Sequence, residues 1–398
     1  MKTFIPGKDA ALEDSITRMQ TRLQELGFDI EEASWLNPVP HVWSVHIRDR
    51  DCPMCFTNGK GSSRKAALAS ALGEYFERLA NNYFFADWYL GKEHTAGDFT
   101  HYPNEKWFAA SEEWPANLLD EHSRKIYDPE NELTPADLYD RGSGNPDKGI
   151  CALPYVRQSD NQQVFIPVNV IGNLYVSNGM SAGNTATEAS VQCLSEIFER
   201  YVKNKIIAEG LTLPDIPEEV LQRYPQVVEA VAQLRQHGFA ILLKDASLGG
   251  KYPVINVTLV NPEDGGVFPS FGAHPQFGVA LERTLTELLQ GRDLDQLNVF
   301  EKPSFDLDVV ATAQNLEEHF IDSNGLVHWR FFADQPDFAF ADWNFSAGST
   351  EEEWSRLLGI LHHEGHQVCV ADHQHLGVYG CRYGTPLYLF FHFIASKG

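Results

Sequence analysis

The feature that most constrains this chain is a unit that recurs three times: a glycine-bearing stretch followed by a helix with carboxylates or amides three residues apart. In the central copy, Ser181-Ala182-Gly183-Asn184-Thr185 leads into a helix carrying Glu188, Glu196, Glu199 and Arg200. Asn184 or Thr185 is a natural N-cap, with Glu188 in the first turn. At about 100° per residue, Glu188, Gln192, Glu196, Glu199 and Lys203 share one face. Val191, Leu194, Ile197, Phe198 and Tyr201 share the other. Upstream, Thr57 to Lys65 reads as a glycine turn before a second helix. There Ser70, Glu74, Glu77 and Asn81 form one stripe and Leu68, Leu72, Tyr75 and Leu79 the opposite one. Phe76-Glu77-Arg78 and Phe198-Glu199-Arg200 are the same tripeptide, 199 − 77 = 122 residues apart. A degenerate third copy runs from Phe271-Gly272-Ala273-His274 to Arg283, Glu287 and Gln290. Repeats of this kind can define an architecture.

One such helix alone is more simply an amphipathic surface helix, with Glu74–Arg78 and Glu196–Arg200 as ordinary i,i+4 pairs. Three copies favour a shared site. Clustered carboxylates repel and raise one another's pKa values unless a cation neutralises them. All-oxygen donors favour magnesium, calcium or manganese, and magnesium is commonly shared with phosphates. Glycine turns and helix N-termini supply N–H groups for phosphate oxygens. With the isolated cations Lys8, Lys65 and Arg283, the pattern suggests a magnesium–nucleotide site. No P-loop and no dinucleotide fingerprint is present.

The rest of the chain reads as α+β, a mixed α/β fold with antiparallel hairpins. Helices are expected over 9–26, over 217–237 and from Trp354 to Glu364 behind a Ser349–Glu352 capping signal. Strands are expected at His41–Arg48, Ile150–Val156, Gln163–Val168, Asn173–Ser177, Phe239–Lys244, Tyr252–Val260, Gly266–Phe271 and Gln367–Asp372. Pro167 disfavours a central position for its strand. Residues 86–148 read as an irregular acidic insertion with short helices. Cys52-Pro-Met-Cys55 is half a zinc or redox motif, but the second pair is lacking, which favours a turn between strands. His362, His363, His366, His373 and His375 are expected to lie in an exposed loop, with a metal site as the alternative. The tail contains Leu387–Ile394, an apolar run too short to span a membrane.

The paired E-x-x-E-R helices, the turn at Asn184 and R-x-x-x-E-x-x-Q at Arg283–Gln290 resemble the YcaO family. The resemblance spans roughly residues 3–382. It implies a YcaO-type ATP-binding domain over 1–382 and an enzyme that activates peptide backbone amides with ATP and Mg. It places Glu74, Glu77, Glu196, Glu199 and Glu287 on magnesium. Lys8, Ser15, Lys65, Asn184, Glu188, Arg200 and Arg283 would meet ATP. No residue identifies itself as a general base. One branch of the family implies a further role, assisting a RimO-type methylthiotransferase that modifies an aspartate of a ribosomal protein, small-subunit protein twelve. A non-catalytic accessory or scaffold protein, or a magnesium-dependent phosphohydrolase, are the alternatives, and the resemblance leaves room for a homodimer. Relatives continue beyond Arg382 into a helical C-terminal domain. Residues 383–398 form an atypical tail, so truncation or a frameshift is expected. The tail lacks the proline-rich end of azoline-forming members, which argues against cyclodehydratase activity.

The chain's 398 residues suffice for a large core, and its net charge of −24 argues against sequence-independent nucleic-acid binding. Its six cysteines do not form a disulfide scaffold. With no signal-like start and no run of about 18 apolar residues, a cytoplasmic protein off the membrane is expected.

Overall fold

The computed structural model describes residues 2–84, 99–111, 113–142, 147–321, 323–343 and 348–385. The apolar tail run Leu387–Ile394 therefore lies outside the described residues. The helices of twelve or more residues are α1 (Leu12–Glu25), α2 (Arg64–Ala80), α3 (Ala186–Glu209), α4 (Pro225–Gln236), α5 (Phe277–Leu288) and α6 (Thr350–His363). The strands are β1 (Ile30–Val39), β2 (Val42–Asp49), β3 (Phe56–Gly61), β4 (Lys106–Phe108), β5 (Ile150–Arg157) and β6 (Gln163–Pro167). They continue as β7 (Met180–Gly183), β8 (Ala240–Asp245), β9 (Val254–Val260), β10 (Val267–Ala273), β11 (Cys369–His373) and β12 (Tyr379–Gly384).

These strands form three antiparallel sheets: β1-β2-β3, β10-β9-β8, and a six-stranded sheet ordered β4-β5-β11-β12-β7 with β6 on β5. Each sheet launches one of the three acidic helices: β3 runs into α2, β7 into α3 and β10 into α5. Each helix buries its apolar stripe in its own sheet's core. Leu72, Tyr75 and Leu79 of α2 pack with Val45 and Ile47 of β2. Val191, Leu194, Ile197 and Phe198 of α3 pack with Cys381 and Tyr383 of β12. Leu281, Leu285 and Leu288 of α5 pack with Ile255, Val257 and Leu259 of β9. Fully burying such a side chain is worth about 1.5–3 kcal/mol, so the three stripes fix which face of each helix is left for chemistry.

The glycines of the repeated unit do not form turns. Gly59 and Gly61 lie in β3, Gly183 in β7 and Gly272 in β10. Their role is close approach. A Cβ on Gly59 would meet Ala67 O at 2.0 Å, one on Gly183 would meet Ala189 N at 2.8 Å, and one on Gly272 would meet Thr284 Oγ1 at 2.4 Å. The strand therefore lies directly on its helix, with no phosphate-cradling loop at these glycines.

Other expectations are also corrected. Asn173–Ser177 is not a strand: Ile171–Tyr175 is a short π-helical turn, and the strand begins at Met180. The helix expected over 217–237 is split into Glu218–Leu221 and α4, because Pro225 starts a new helix at N1. The histidines do not share one exposed loop. His362 and His363 are exposed at the end of α6, but His373 is buried in β11, where Cys369 and Ala371 face inward with it and its ring stacks on Tyr102. Residues Ile30–Val39, unassigned from sequence, form β1. Pro167 does end an edge strand, β6, which pairs only with β5 among the described strands. No described helix is long and apolar enough to cross a membrane.

Candidate functional site

The polar stripes of α2, α3 and α5 face one another. Two ion pairs organise them locally: Arg78 holds Glu74 at 3.1 Å, and Arg200 holds Glu196 at 2.6 Å, with its guanidinium 4.2 Å from the centre of the Phe320 ring. Burial pushes Glu77 well above the usual carboxylate range. Arg78 and Arg200 oppose that rise, while Glu196 and Glu74 add to it. Burial also raises Glu199, against Lys203, Lys60 and Arg283, and with Glu196 adding to it. The carboxylates thus sense one another across two helices, and burial is the main penalty on their charged forms.

Two cations stand among them. Lys60, on β3, pairs with Glu287 of α5 and donates to Gln290 Oε1 at 3.2 Å. Burial and Arg283 lower its pKa, and Glu199, Glu74 and Glu196 oppose that. Arg283 is held below its usual value by burial, with Glu199, Glu196 and Glu282 opposing. Lys60 is the residue that sequence reasoning missed. The available signal was its place in an alternating strand, in the stretch directly before α2.

A second group sits at the N-terminus of α3. Thr185 is the N-cap, its hydroxyl accepting from Glu188 N at 3.1 Å. Glu188 is buried, yet its pKa is lowered. Burial alone would raise it, but Lys8 at 3.2 Å, the Asp9 N–H at 2.9 Å and the Asn184 amide at 2.8 and 3.1 Å outweigh that. Asn184 Oδ1 accepts from Ser15 Oγ and Arg18 Nη2, both at 2.7 Å. Lys8, Ser15, Asn184 and Glu188 are therefore in one network. Lys65 stands apart, pairing with Glu13 at 2.6 Å on an exposed surface.

His274 joins the two groups, since both Arg283 and Lys8 help burial to hold its pKa well below the usual value. Its Nδ1 accepts from Gln276 N at 3.0 Å. The N-terminal segment runs against the ring: Gly7, at φ +75°, would place a Cβ 2.7 Å from His274 Nε2. Asp9 anchors the same segment by accepting from Thr350 Oγ1 of α6 at 3.0 Å and from Thr185 Oγ1. From sequence, His274 belongs to the third repeat but carries no role. Nothing in its spacing signals a contact 267 residues back in the chain (274 − 7).

Among the described residues no three His, Cys, Asp or Glu side chains converge closely enough to hold a metal ion as they stand. The physical reason is visible: the Glu74, Glu196 and Glu287 carboxylates are turned to Arg78, Arg200 and Lys60. The donor chemistry nonetheless suits a hard divalent cation, because Glu77 and Glu199 are oxygen donors whose burial penalises a bare carboxylate. The Cys52–Cys55 pair lies in the turn between β2 and β3 with sulfurs 3.8 Å apart, and burial pushes the Cys55 thiol up to about 12.

Three acidic helices, each laid on a glycine-bearing strand of a separate sheet, define a protein class. Residues 58–387 match the family described as YcaO cyclodehydratase, ATP- and Mg2+-binding, and the chain belongs to the YcaO family. It is 64% identical over 387 residues to the ribosomal protein S12 methylthiotransferase accessory factor YcaO of Escherichia coli (strain K12). That match covers 97% of this chain and 66% of the relative's length. Among solved structures it resembles a heterocyclase in complex with substrate and cofactor (TM-score 0.64, 17% identity, 95% of this chain and 52% of that one). It also resembles YcaO from Methanopyrus kandleri bound with AMPPCP and Mg2+ (TM-score 0.56, 17% identity, 94% and 90%). At this identity the two structures bear on the fold alone.

Proposed function

We propose that this chain binds Mg2+ and ATP between α2, α3 and α5 and serves the activation of a peptide backbone amide, in support of β-methylthiolation of an aspartate in ribosomal protein S12 by a RimO-type methylthiotransferase. The observation that carries the reading is the placement of two buried carboxyls, Glu77 and Glu199, among Glu74, Glu196, Lys60 and Arg283 at a junction of three helices. Glu74, Glu77, Glu196, Glu199 and Glu287 would hold the metal. Loading it requires Glu287 to exchange Lys60, and Glu74 and Glu196 to loosen Arg78 and Arg200. Lys60 and Arg283, already between the carboxylates, are then free to meet phosphate oxygens. Lys8, Ser15, Asn184 and Glu188 form the neighbouring polar group for the rest of the nucleotide, and Arg200 would meet ATP from the Glu196 side. Lys65 reaches the site only by leaving Glu13.

Bound magnesium and ATP would supply an electrophilic phosphoryl group for an amide oxygen. The chain's contribution is positioning and charge balance. A purely accessory role, with the site used for assembly, is favoured by the name of the Escherichia coli relative. Calorimetric titration of ATP with and without Mg2+, into wild type and Glu199→Gln, tests the site. Mg-dependent binding lost in the variant is the expected result. Equal binding by both proteins would remove the carboxylate helices from the site. Retention of the cellular methylthiolation phenotype by a non-binding Glu199→Gln would favour the accessory role.

A further inference from the structure

The β1-β2-β3 sheet has two unlike faces. Trp35, Val45 and Gly59 form one cross-strand row, and Gly59 lies against α2. The opposite face carries two other rows, Ser34–His46–Asn58 and Leu36–Ser44–Lys60. That face is polar apart from Leu36, and it ends on Lys60, the cation paired with Glu287. A cavity of about 160 Å³ lies on it, lined by Ser34, Ser44, His46, Asn58 and Gly291, with Leu36 and Val45 as its apolar part. At ~30 Å³ per water it has room for about five waters, the scale of one small amino-acid residue.

The walls are built and joined to the carboxylate site. His46 Nδ1 bonds Asn58 Oδ1 at 2.8 Å, and Gly291 N donates to Ser44 Oγ at 3.2 Å. Gln290 donates to Asn58 O and accepts from Lys60, linking floor to cluster. Asn58 and Lys60 are two residues apart on one strand face, about 7 Å. The lining offers hydroxyl, imidazole and amide groups in both donor and acceptor roles. No lysine or arginine lines the cavity itself, and Lys60 beside it serves the nucleotide in the reading above, so the cavity does not suit a second phosphate. A mixed donor–acceptor lining one residue wide suits the main chain of an extended polypeptide.

We propose that this polar trough is the acceptor subsite, holding one extended residue of the polypeptide substrate with its amide directed toward Lys60 and the carboxylate cluster. The proposal rests on the Mg2+–ATP and ribosomal-protein reading above, and it names Ser34, Ser44, His46 and Asn58 as substrate-facing residues. Ser34 is exposed on an edge strand, so Ser34→Trp fills the trough from outside the packed core. His46→Leu removes a polar wall without adding bulk.

The test measures binding of purified ribosomal protein S12 in the presence of Mg2+ and ATP by fluorescence anisotropy. Mg2+–ATP binding is followed in parallel by calorimetry. For Ser34→Trp, S12 binding is expected to weaken at least about tenfold, or 1.4 kcal/mol. His46→Leu is expected to weaken it too, Ser34→Ala to weaken it less than Ser34→Trp, and all variants to bind Mg2+–ATP as wild type does. Wild-type S12 affinity in both Ser34→Trp and His46→Leu overturns the trough alone. A wild-type chain that binds Mg2+–ATP but not S12 refutes the ribosomal-protein reading, and the trough as proposed falls with it.

Discussion

Gly183 ends β7 against the first turns of α3, and a Cβ there would lie 2.8 Å from Ala189 N and 3.2 Å from Ala189 Cα. Ordinary contact begins at 3.4 Å, so Gly183→Ala asks strand and helix to separate by about 3.4 − 2.8 = 0.6 Å. The helix cannot yield freely, because Ala189, Val191, Leu194, Ile197 and Phe198 are all buried. Overpacking of this kind costs about 1–3 kcal/mol. Gly73 is the matched control: it lies in the interior of α2, and a methyl added there would meet nothing within 4 Å. At that position alanine is expected to stabilise by about 1 kcal/mol. The two Gly→Ala variants should therefore differ by about 2–4 kcal/mol in urea unfolding, read from midpoints at equal m. Gly183→Ala should also weaken Mg2+–ATP binding, because the separation carries Glu196 and Glu199 away from Glu77. An unfolding midpoint for Gly183→Ala at or above that of Gly73→Ala would refute the close-approach role of the strand glycines.

Glu77 and Glu199 have raised folded-state pKa values, so the stability they contribute is fully present below the unfolded carboxylate pKa of about 4.3 and is lost as pH rises through the folded value. Without Mg2+, Glu77→Gln should match wild type in acid and exceed its stability at pH 8, by about 1.4 kcal/mol for each tenfold by which folding tightens the carboxyl's hold on its proton; thermal melts across pH check this. Glu188 behaves oppositely: its lowered pKa gives stability that is present above the unfolded value and lost as pH falls through the folded one. Lys8→Met should reduce that contribution, so its deficit in urea unfolding is largest near neutral pH and shrinks in acid. Gly7→Ala meets His274 Nε2 at 2.7 Å with an unfavourable φ, and an expected loss of about 1–3 kcal/mol should appear as faster N-terminal proteolysis. Thr185→Ala removes an N-cap and should cost about 1 kcal/mol in thermal unfolding.

The helical parts of the site were readable because period and face are local. The stripes through Glu74 and Glu77, and through Glu196 and Glu199, needed only the helical repeat, and the apolar stripes opposite are buried as that repeat requires. The glycines misled because a strand glycine and a turn glycine look alike in sequence; what separates them is the helix lying against Gly59 and Gly183. Asn173–Ser177 reads as a strand by its Leu174, Tyr175 and Val176, yet that segment forms a π-turn and bend before β7. His373 was grouped with its exposed neighbours because burial there depends on Tyr102, more than 270 residues earlier (373 − 102 = 271). Lys60 and His274 stayed silent for the same reason: each owes its importance to charges on other helices, which no local pattern encodes.

The three acidic helices each grow from a different sheet, and that has a mechanical consequence. A cation or nucleotide bound among them acts as a keystone between three sheets, two of which already share a core where Val254, Phe271 and Ala273 pack with α3. Its binding energy enters the unfolding of all three at once, adding about 2.7 kcal/mol at a hundredfold excess over Kd. Conversely, a local opening at any one of the three helices dissolves the site. Ligand occupancy in such an arrangement reports on the integrity of the whole scaffold.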